Sequence, residues 1–350
     1  MSEEEQLTDA LLGVDFGAGA TKVYGEPGGI ELPSHVAFAG RHRRQARVSG
    51  LRTLKPPMQV LTAHGQFHVG LGAHDWGRPV ENLADDRFLG APETAALFYG
   101  SVTAYVRQYG CTLGSVRAIV GLTQSAFIRN AGSDTVSGVR SWLVGEHTWQ
   151  VANADDDTSD VEAFDLSVQS VDVTSQAAGA MFDYFLDEQG DFIPTRKPDY
   201  KREIGIVSVG MNTLELLVIR NGAPVERFLA SETAGVRRLL EIIDPSGLYS
   251  RGELDTQLRA GKLDYRDAIP VWASEIGGHM ERSWGNAFRR FSTTIVTGGG
   301  TLLLGDALTA RFDGKSFSPD DPIMSVARGL YKLGRMKQKR RLRRKQARRE

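Results

Sequence analysis

Apolar residues near the start of the chain fall in two short runs set apart by small residues. Residues 11–16 (LLGVDF) predict a buried strand, Gly17-Ala18-Gly19 a turn, residues 21–24 a returning strand, and GEPGG at 25–29 a second turn. Short strands and loops follow over 31–90. Ala95, Phe98, Val102 and Val106 recur near one helical face, predicting a helix over 91–110 that Gly110 stops. Residues 116–122 (VRAIVGL) predict a buried strand, 141–152 and 161–173 two more around the acidic linker Asp155-Asp156-Asp157, and 175–186 an amphipathic helix. The stretch 187–200, with its proline and charges, is the expected domain boundary.

Beyond it the plan repeats. Strands at 204–209 and 213–220 end at the turn Asn221-Gly222, and helices follow at 231–243, 250–260 and 265–291, the last interrupted at Gly277-Gly278. A strand at 293–297 enters Gly298-Gly299-Gly300, and 322–350 predicts one helix running into a basic tail. Two strand–turn–strand units, each followed by strands and then helices, predict a duplicated α/β architecture with a cleft between its halves. Domain I is expected over 11–195 plus 322–334, with a small inserted subdomain at about 31–90, and domain II over 200–321.

A length of 350 residues accommodates two cores, and 41% apolar with 24% charged residues is ordinary globular usage. The net charge of −1 hides an asymmetry. Residues 335–350 hold ten of the 42 bases and one acid, so the remainder, with 32 bases against 42 acids, carries −10. A further basic cluster lies at Arg41, Arg43, Arg44 and Arg47. The single Cys111 excludes an internal disulfide framework and a multi-cysteine metal site, and reads as a small buried residue. The start MSEEEQLTDA is acidic where a signal peptide is basic, and no apolar run approaches a membrane span. A cytoplasmic protein without membrane insertion is expected.

Three segments carry candidate chemistry. In Gly13-Val14-Asp15-Phe16-Gly17-Ala18-Gly19-Ala20-Thr21-Lys22 a carboxylate ends a strand, small residues admit close backbone approach, and a lysine stands seven residues on. Such a turn can surround phosphate oxygens with N–H groups while lysine neutralises charge and Asp15 holds magnesium through water. A dinucleotide fingerprint would need glycine at 22 and a helix afterwards; Lys22 and a strand stand there instead. The second segment, residues 206–216 (IVSVGMNTLEL), repeats the strand–glycine turn–strand plan. In the third, residues 294–302 (TIVTGGGTL), a strand breaks at glycines where a flat base can lie on backbone.

In this order the segments resemble the actin superfamily, which also includes sugar kinases and heat-shock ATPases. Asp15 to Lys22 matches its phosphate-1 hairpin, Gly210 and Thr213 its phosphate-2 hairpin, and Gly298 and Gly299 its adenosine motif. Further patches resemble the ParM/StbA plasmid-segregation branch of bacterial actins: ELPSHV at 31–36, FHVG at 67–70, VGL at 120–122 with Thr123 in place of a proline, VTSQAAGA at 173–180 and ARGLY at 327–331. The resemblance runs in patches from about Leu11 to Lys332 and leaves the tail outside. It implies ATP or GTP with Mg2+ bound between the domains, through Gly17, Gly19, Ala20, Thr21, Lys22, Ser208, Gly210, Asn212, Thr213, Gly298, Gly299 and Gly300. Gln176 would orient the attacking water and Asp15 would serve both metal and phosphate, although a polar residue opening a helix is the plainer reading of Gln176 alone. The implied function is filament formation with slow hydrolysis, in plasmid or other DNA segregation. The alternatives are a non-polymerising nucleotide-dependent sensor or scaffold, and a DNA-associated adaptor acting through the tail.

One departure matters. The phosphate-2 segment of the family opens with an aspartate, and this chain has Ser208, which lowers the expected magnesium affinity and hydrolysis rate. Glu215 is anionic, but the sequence leaves open which way it points on the returning strand. A P-loop at Gly314-Lys315-Ser316 fails because position 309 is Thr309, no G-x-S-x-G elbow occurs, and Gly65 within the His64, His68 and His74 set argues against a metal-binding helix. The tail has three readings: non-specific DNA contact or a DNA-bound adaptor, docking on the acidic body of a second copy, or a disordered solubilising extension.

Overall fold

Apolar residues on both faces of β1 (Ala10–Phe16) suit a strand in the interior of a sheet whose two faces are both covered by packed elements. The structure is a computed structural model that describes residues 9–39, 55–128, 132–152 and 161–347. The cluster Arg41 to Arg47, the linker Asp155–Asp157 and the last three residues of the tail lie outside the described residues.

The first sheet comprises β1, β2 (Ala20–Gly25), β3 (Gly28–Pro33), β4 (Val36–Phe38), β5 (Met58–Thr62), β6 (Gly65–Val69), β7 (Arg78–Pro79), β8 (Ser115–Leu122), β9 (Gly145–Ala152) and β10 (Val161–Ser175). Their order is β3-β2-β1-β8-β10-β9-β5-β6-β4-β7. β1 is antiparallel to β2 and parallel to β8. The stretch 31–90 begins inside β3, and its strands β4–β7 continue the same sheet through the β5–β9 pairing. The second sheet comprises β11 (Glu203–Val209), β12 (Leu214–Arg220), β13 (Ala223–Pro224), β14 (Ala230–Glu232), β15 (Thr293–Thr297) and β16 (Ser316–Phe317). Here β11 is antiparallel to β12 and parallel to β15, so the triplet β12-β11-β15 repeats the triplet β2-β1-β8.

The helices are α1 (Pro92–Tyr109), α2 (Ser125–Ile128), α3 (Gly132–Leu143), α4 (Gln176–Phe185), α5 (Val236–Ile243), α6 (Arg251–Arg259), α7 (Ile269–Trp284), α8 (Gly299–Leu304), α9 (Asp306–Thr309) and α10 (Ser325–Gln346). One apolar core fills the first sheet and α1, and a second fills β11, β12 and α5–α8. A third, built on α4 and α10, joins the two sheets through Ile119, Phe185, Ile206, Ile295 and Leu330. Gly329 lets α10 sit on α4 so closely that a Cβ there would collide with the Gly179 carbonyl. Beside that crossing the buried Asp183 carboxylate takes two bonds from Arg328, at 2.7 and 2.6 Å, and one from Lys332 at 2.9 Å. Burial works against the Asp183 charge, but these cations hold its carboxyl below the ordinary range.

Several boundaries differ from expectation. Residues 141–143 close α3, whose polar face hid it, and β9 starts at Gly145. Ser231 and Glu232 belong to β14, which pairs with β12, and α5 starts only after Gly235. The turn at Asn221-Gly222, with φ of 53° and 72°, joins β12 to β13, while β11 and β12 are joined through residues 210–213. Gly277-Gly278 does not interrupt α7. Trp272, Ile276, Met280 and Trp284 keep one face buried, Gly277 makes room for the Arg311 guanidinium, and Gly285, at φ 52°, ends the helix. The tail does not detach at 335: Met336 is buried, Lys337 and Lys339 pair with Asp172 and Asp191, and α10 continues unbroken to Gln346. The disordered reading therefore fails for 335–346, because the packed start of the helix propagates its hydrogen bonding outward.

Candidate functional site

Two hairpins of equal geometry face one another. In the first, Asp15 stands opposite Lys22, and Phe16 pairs with Thr21 around a four-residue connection. In the second, Ser208 stands opposite Glu215, and Val209 pairs with Leu214 around a connection of the same length. The tips meet across the cleft, since a Cβ on Gly19 would fall 2.7 Å from Met211 Cβ. Between them and the break after β15 lies a cavity of about 340 Å³. Asp15, Gly17, Gly19, Ala20, Lys22, Gln176, Ser208, Gly210, Asn212, Thr213, Gly298, Gly299 and Gly300 all line it; Thr21 does not. The sequence-predicted residues are thus brought to one place, apart from Thr21, which is buried behind the turn with its hydroxyl 3.4 Å from Ser34.

The first tip is tied down by its oxygens. Ser34 donates from Oγ to the Gly17 carbonyl at 2.8 Å and from its N–H to the Gly19 carbonyl at 3.0 Å, and Arg259 adds a bond to Gly19 at 3.2 Å. Those negative ends no longer compete with a bound anion. Asp15, 2% exposed, accepts from Lys22 Nζ at 2.9 Å and from Gln176 Nε2 at 2.6 Å. A carboxylate only accepts, so the amide end of Gln176 must face it, which leaves Oε1 as the acceptor end for a water proton. Gln176 opens α4, held there by its N-cap Ser175, whose hydroxyl accepts from the Ala178 N–H.

The glycines after β15 divide the labour. A Cβ on Gly298, at φ 91°, or on Gly300 would strike Val209, so both serve packing against β11. A Cβ on Gly299 would meet, among the described residues, nothing nearer than Ile323 at 3.8 Å, so its face is open to the cavity.

Glu215 is the residue whose direction the sequence left open. Directly opposite partners in an antiparallel pair share a face, so it points the same way as Ser208. Its Oε1 accepts the Gln124 N–H at 2.7 Å from the opposing half, and among the described residues its buried Oε2 has no hydrogen-bond partner. Burial pushes the Glu215 carboxyl from 4.5 up to about 8; the charges of Asp15 and Asp85 add to the rise, and the Gln124 N–H opposes it. A readable signal existed: Ser208 and Glu215 are seven apart, as Asp15 and Lys22 are. Asp85 and Ser125, which belonged to no motif, and Thr123, noted only as a replacement, also line the cavity; both hydroxyls donate to Asp85 Oδ1, at 3.1 and 3.0 Å. Thr123 thus uses the position where a proline was expected.

Helix α6 spans the cleft mouth. Asp255 accepts from His35 at 2.8 Å, and Arg259 reaches Glu31 at 2.7 Å, so both sheets' elements are bonded across the opening. The helix is preset for this by a reciprocal cap between Ser250 and Glu253.

No family model and no curated protein matches the chain. Solved structures do. Actin-like protein Alp7A aligns with a TM-score of 0.74 at 13% identity, over 97% of this chain and 100% of that one. Apo pSK41 ParM gives 0.67 at 16% identity, over 95% and 98%. The archaeal actin homolog Ta0583, in complex with ADP, gives 0.66 at 16% identity, over 93% and 99%. A 15-stranded ParM filament from Clostridium botulinum gives 0.65 at 15% identity, over 94% and 99%. The chain has the actin-like fold. Within that fold its architecture is the one shared by ParM and Alp7A, as the sequence motifs led us to expect.

Proposed function

We propose that this chain is an actin-like nucleotide-binding protein that assembles head to tail into filaments with ATP or GTP and hydrolyses the nucleotide slowly, in plasmid or other DNA segregation. The observation that carries the reading is the pair of matched hairpins closing on one cavity, with Asp15, Lys22 and Gln176 bonded together at its phosphate end. An ADP complex and a filament among proteins of this fold support nucleotide use and self-association. Domain I at 11–195 with 322–334 and domain II at 200–321 would be the bodies that close on the nucleotide. A contact between unlike faces that does not close into a ring builds such a polymer.

The donor set fits magnesium: Asp15 and Ser208 border the cavity, and Glu215, opposite Ser208 on the same strand face, carries a buried oxygen with no hydrogen-bond partner among the described residues. Magnesium, when bound, neutralises phosphate oxygens. Lys22 moves its ammonium between Asp15 and phosphate, the glycine turns offer backbone donors, and Gln176 Oε1 accepts from the attacking water. An amide is a weak base, which keeps turnover slow.

Ninety-degree light scattering with Mg2+ and ATP, then GTP, alongside phosphate release, tests the reading. Scattering should rise with nucleotide and decay as phosphate appears. A rise without phosphate release would limit the protein to filaments governed by binding. A flat trace with nucleotide bound would leave a non-polymerising sensor or scaffold.

The basic end of α10 supports a polyanion contact, because Arg340, Arg341, Arg343 and Arg344 stand on exposed helix beyond the last packed turn. A chain ending at Lys339 keeps the packed part. It should lose retention on duplex DNA at about 50 mM salt while keeping nucleotide-dependent scattering. Unchanged retention would remove direct DNA contact; lost scattering would assign the tail to filament contacts instead. Among the described residues no helix is long and apolar enough to cross a membrane.

A further inference from the structure

We infer that Arg87 is the receptor for the terminal phosphate, the residue by which the cleft tells a nucleoside triphosphate from a diphosphate. The inference rests on the nucleotide reading above and adds a recognition element that none of the phosphate motifs contains.

Arg87 lies in a single 3-10 turn (Asp85–Leu89) ahead of α1, and it is only 8% exposed. A guanidinium carries five N–H donors, and burial without a counter-charge is costly. Here Nη1 donates to the Asn82 carbonyl at 3.1 Å, and the Phe88 ring lies 4.6 Å from Cζ. Among the described residues no carboxylate comes within ion-pair distance of it. The two acids whose charge reaches Arg87, Asp85 and Glu93, are bonded to other groups: Asp85 Oδ1 takes the Thr123 and Ser125 hydroxyls, and Glu93 Oε1 takes the Asn82 amide at 2.8 Å. Arg87 is therefore a buried cation whose remaining donors meet no anion at ion-pair distance among the described residues.

Its position says which anion completes it. Arg87 borders the 340 Å³ cavity and also a second cavity of about 120 Å³ beyond the first hairpin tip, with Gly17 and Gly19 common to both. Gly298 to Gly300 border only the first cavity. Arg87 thus stands at the hairpin end, opposite the glycine break where the base would lie. A phosphate held between the tips brings three oxygens to that end, the geometry a guanidinium fork grips. Burial lowers the pKa of Arg87 against the pull of Asp85 and Glu93, consistent with a cation that lacks its partner.

Binding of ADP and AMP-PNP, and of GDP and GMP-PNP, to the full chain with Mg2+ tests this by calorimetry. Arg87→Gln should weaken the triphosphate analogue at least tenfold and the diphosphate less than threefold, the loss expected for one charged hydrogen-bonded contact. Arg87→Lys should fall between, retaining charge without the fork. A substitution that weakens both nucleotides equally, or neither, overturns the assignment and leaves Arg87 a packing residue. If Arg87→Gln does not fold, the ratio in Arg87→Lys decides by the same criterion. A parent chain that binds none of the four nucleotides sinks the nucleotide reading itself and this inference with it, an outcome read in the parent before any variant is made.

Discussion

At pH 8 and without nucleotide, the Glu215→Gln variant should be more stable than the parent. Below pH 4.5 the Glu215 carboxyl is protonated in both folded and unfolded chains and costs nothing. Between 4.5 and about 8 the unfolded chain releases its proton while the buried site retains it, so stability falls as pH rises. The full penalty, of the order of 5 kcal/mol, is present above the folded value. Glutamine keeps an oxygen for the Gln124 N–H and has no proton to lose, so it escapes the penalty. Thermal melts of both proteins at pH 5, 6, 7 and 8 should therefore converge in acid and diverge in base, with the variant several degrees higher at pH 8. Parallel curves would show that Glu215 is not held neutral. The same substitution should weaken Mg2+-dependent nucleotide affinity about tenfold, because a cation beside Ser208 needs the negative charge that the apo cleft resists. A gain in stability joined to a loss of binding is the mark of a group kept for function.

The two hairpins were legible because their opening strands are mostly apolar runs that end at glycine-containing turns, and local pattern governs such elements. The architecture of two matched halves followed from the same repetition. Glu215 was not, although its spacing from Ser208 copies that of Lys22 from Asp15. Which face a strand residue presents is fixed by register, and register depends on a turn whose length the sequence shows but whose closure it does not. Arg87 left no trace at all. An arginine in a polar stretch reads as surface, and only the packing of Phe88 and the Asn82 carbonyl around it turns it inward. The helix running into the tail was legible from the sequence; what composition did not show is that Met336 continues the third core of Leu330 and Leu333 into the start of the basic segment.

Asp15→Asn and Gln176→Ala should separate the two halves of the chemistry proposed for the cleft. Asparagine keeps the shape of Asp15 but loses its charge, so Lys22, which in the parent lies 2.9 Å from the carboxylate, is freed for phosphate. Nucleotide without magnesium should bind the Asp15→Asn variant as well as the parent or better, while the gain in affinity on adding Mg2+ disappears. Phosphate release should fall at least 100-fold, since the group that orders both the metal's waters and the lysine is gone. Gln176→Ala removes only the amide that contacts Asp15 and receives the water, so Mg2+-dependent affinity should persist while release drops roughly tenfold to 100-fold. Single-turnover phosphate release and magnesium-titrated binding on the same samples read both effects. If the Asp15→Asn variant hydrolyses within threefold of the parent, Asp15 is a structural partner of Lys22 and the catalytic carboxylate must be sought at Asp85 or Glu215. If Gln176→Ala loses magnesium dependence instead of turnover, its role is to hold Asp15, and the water is oriented from elsewhere in the cleft.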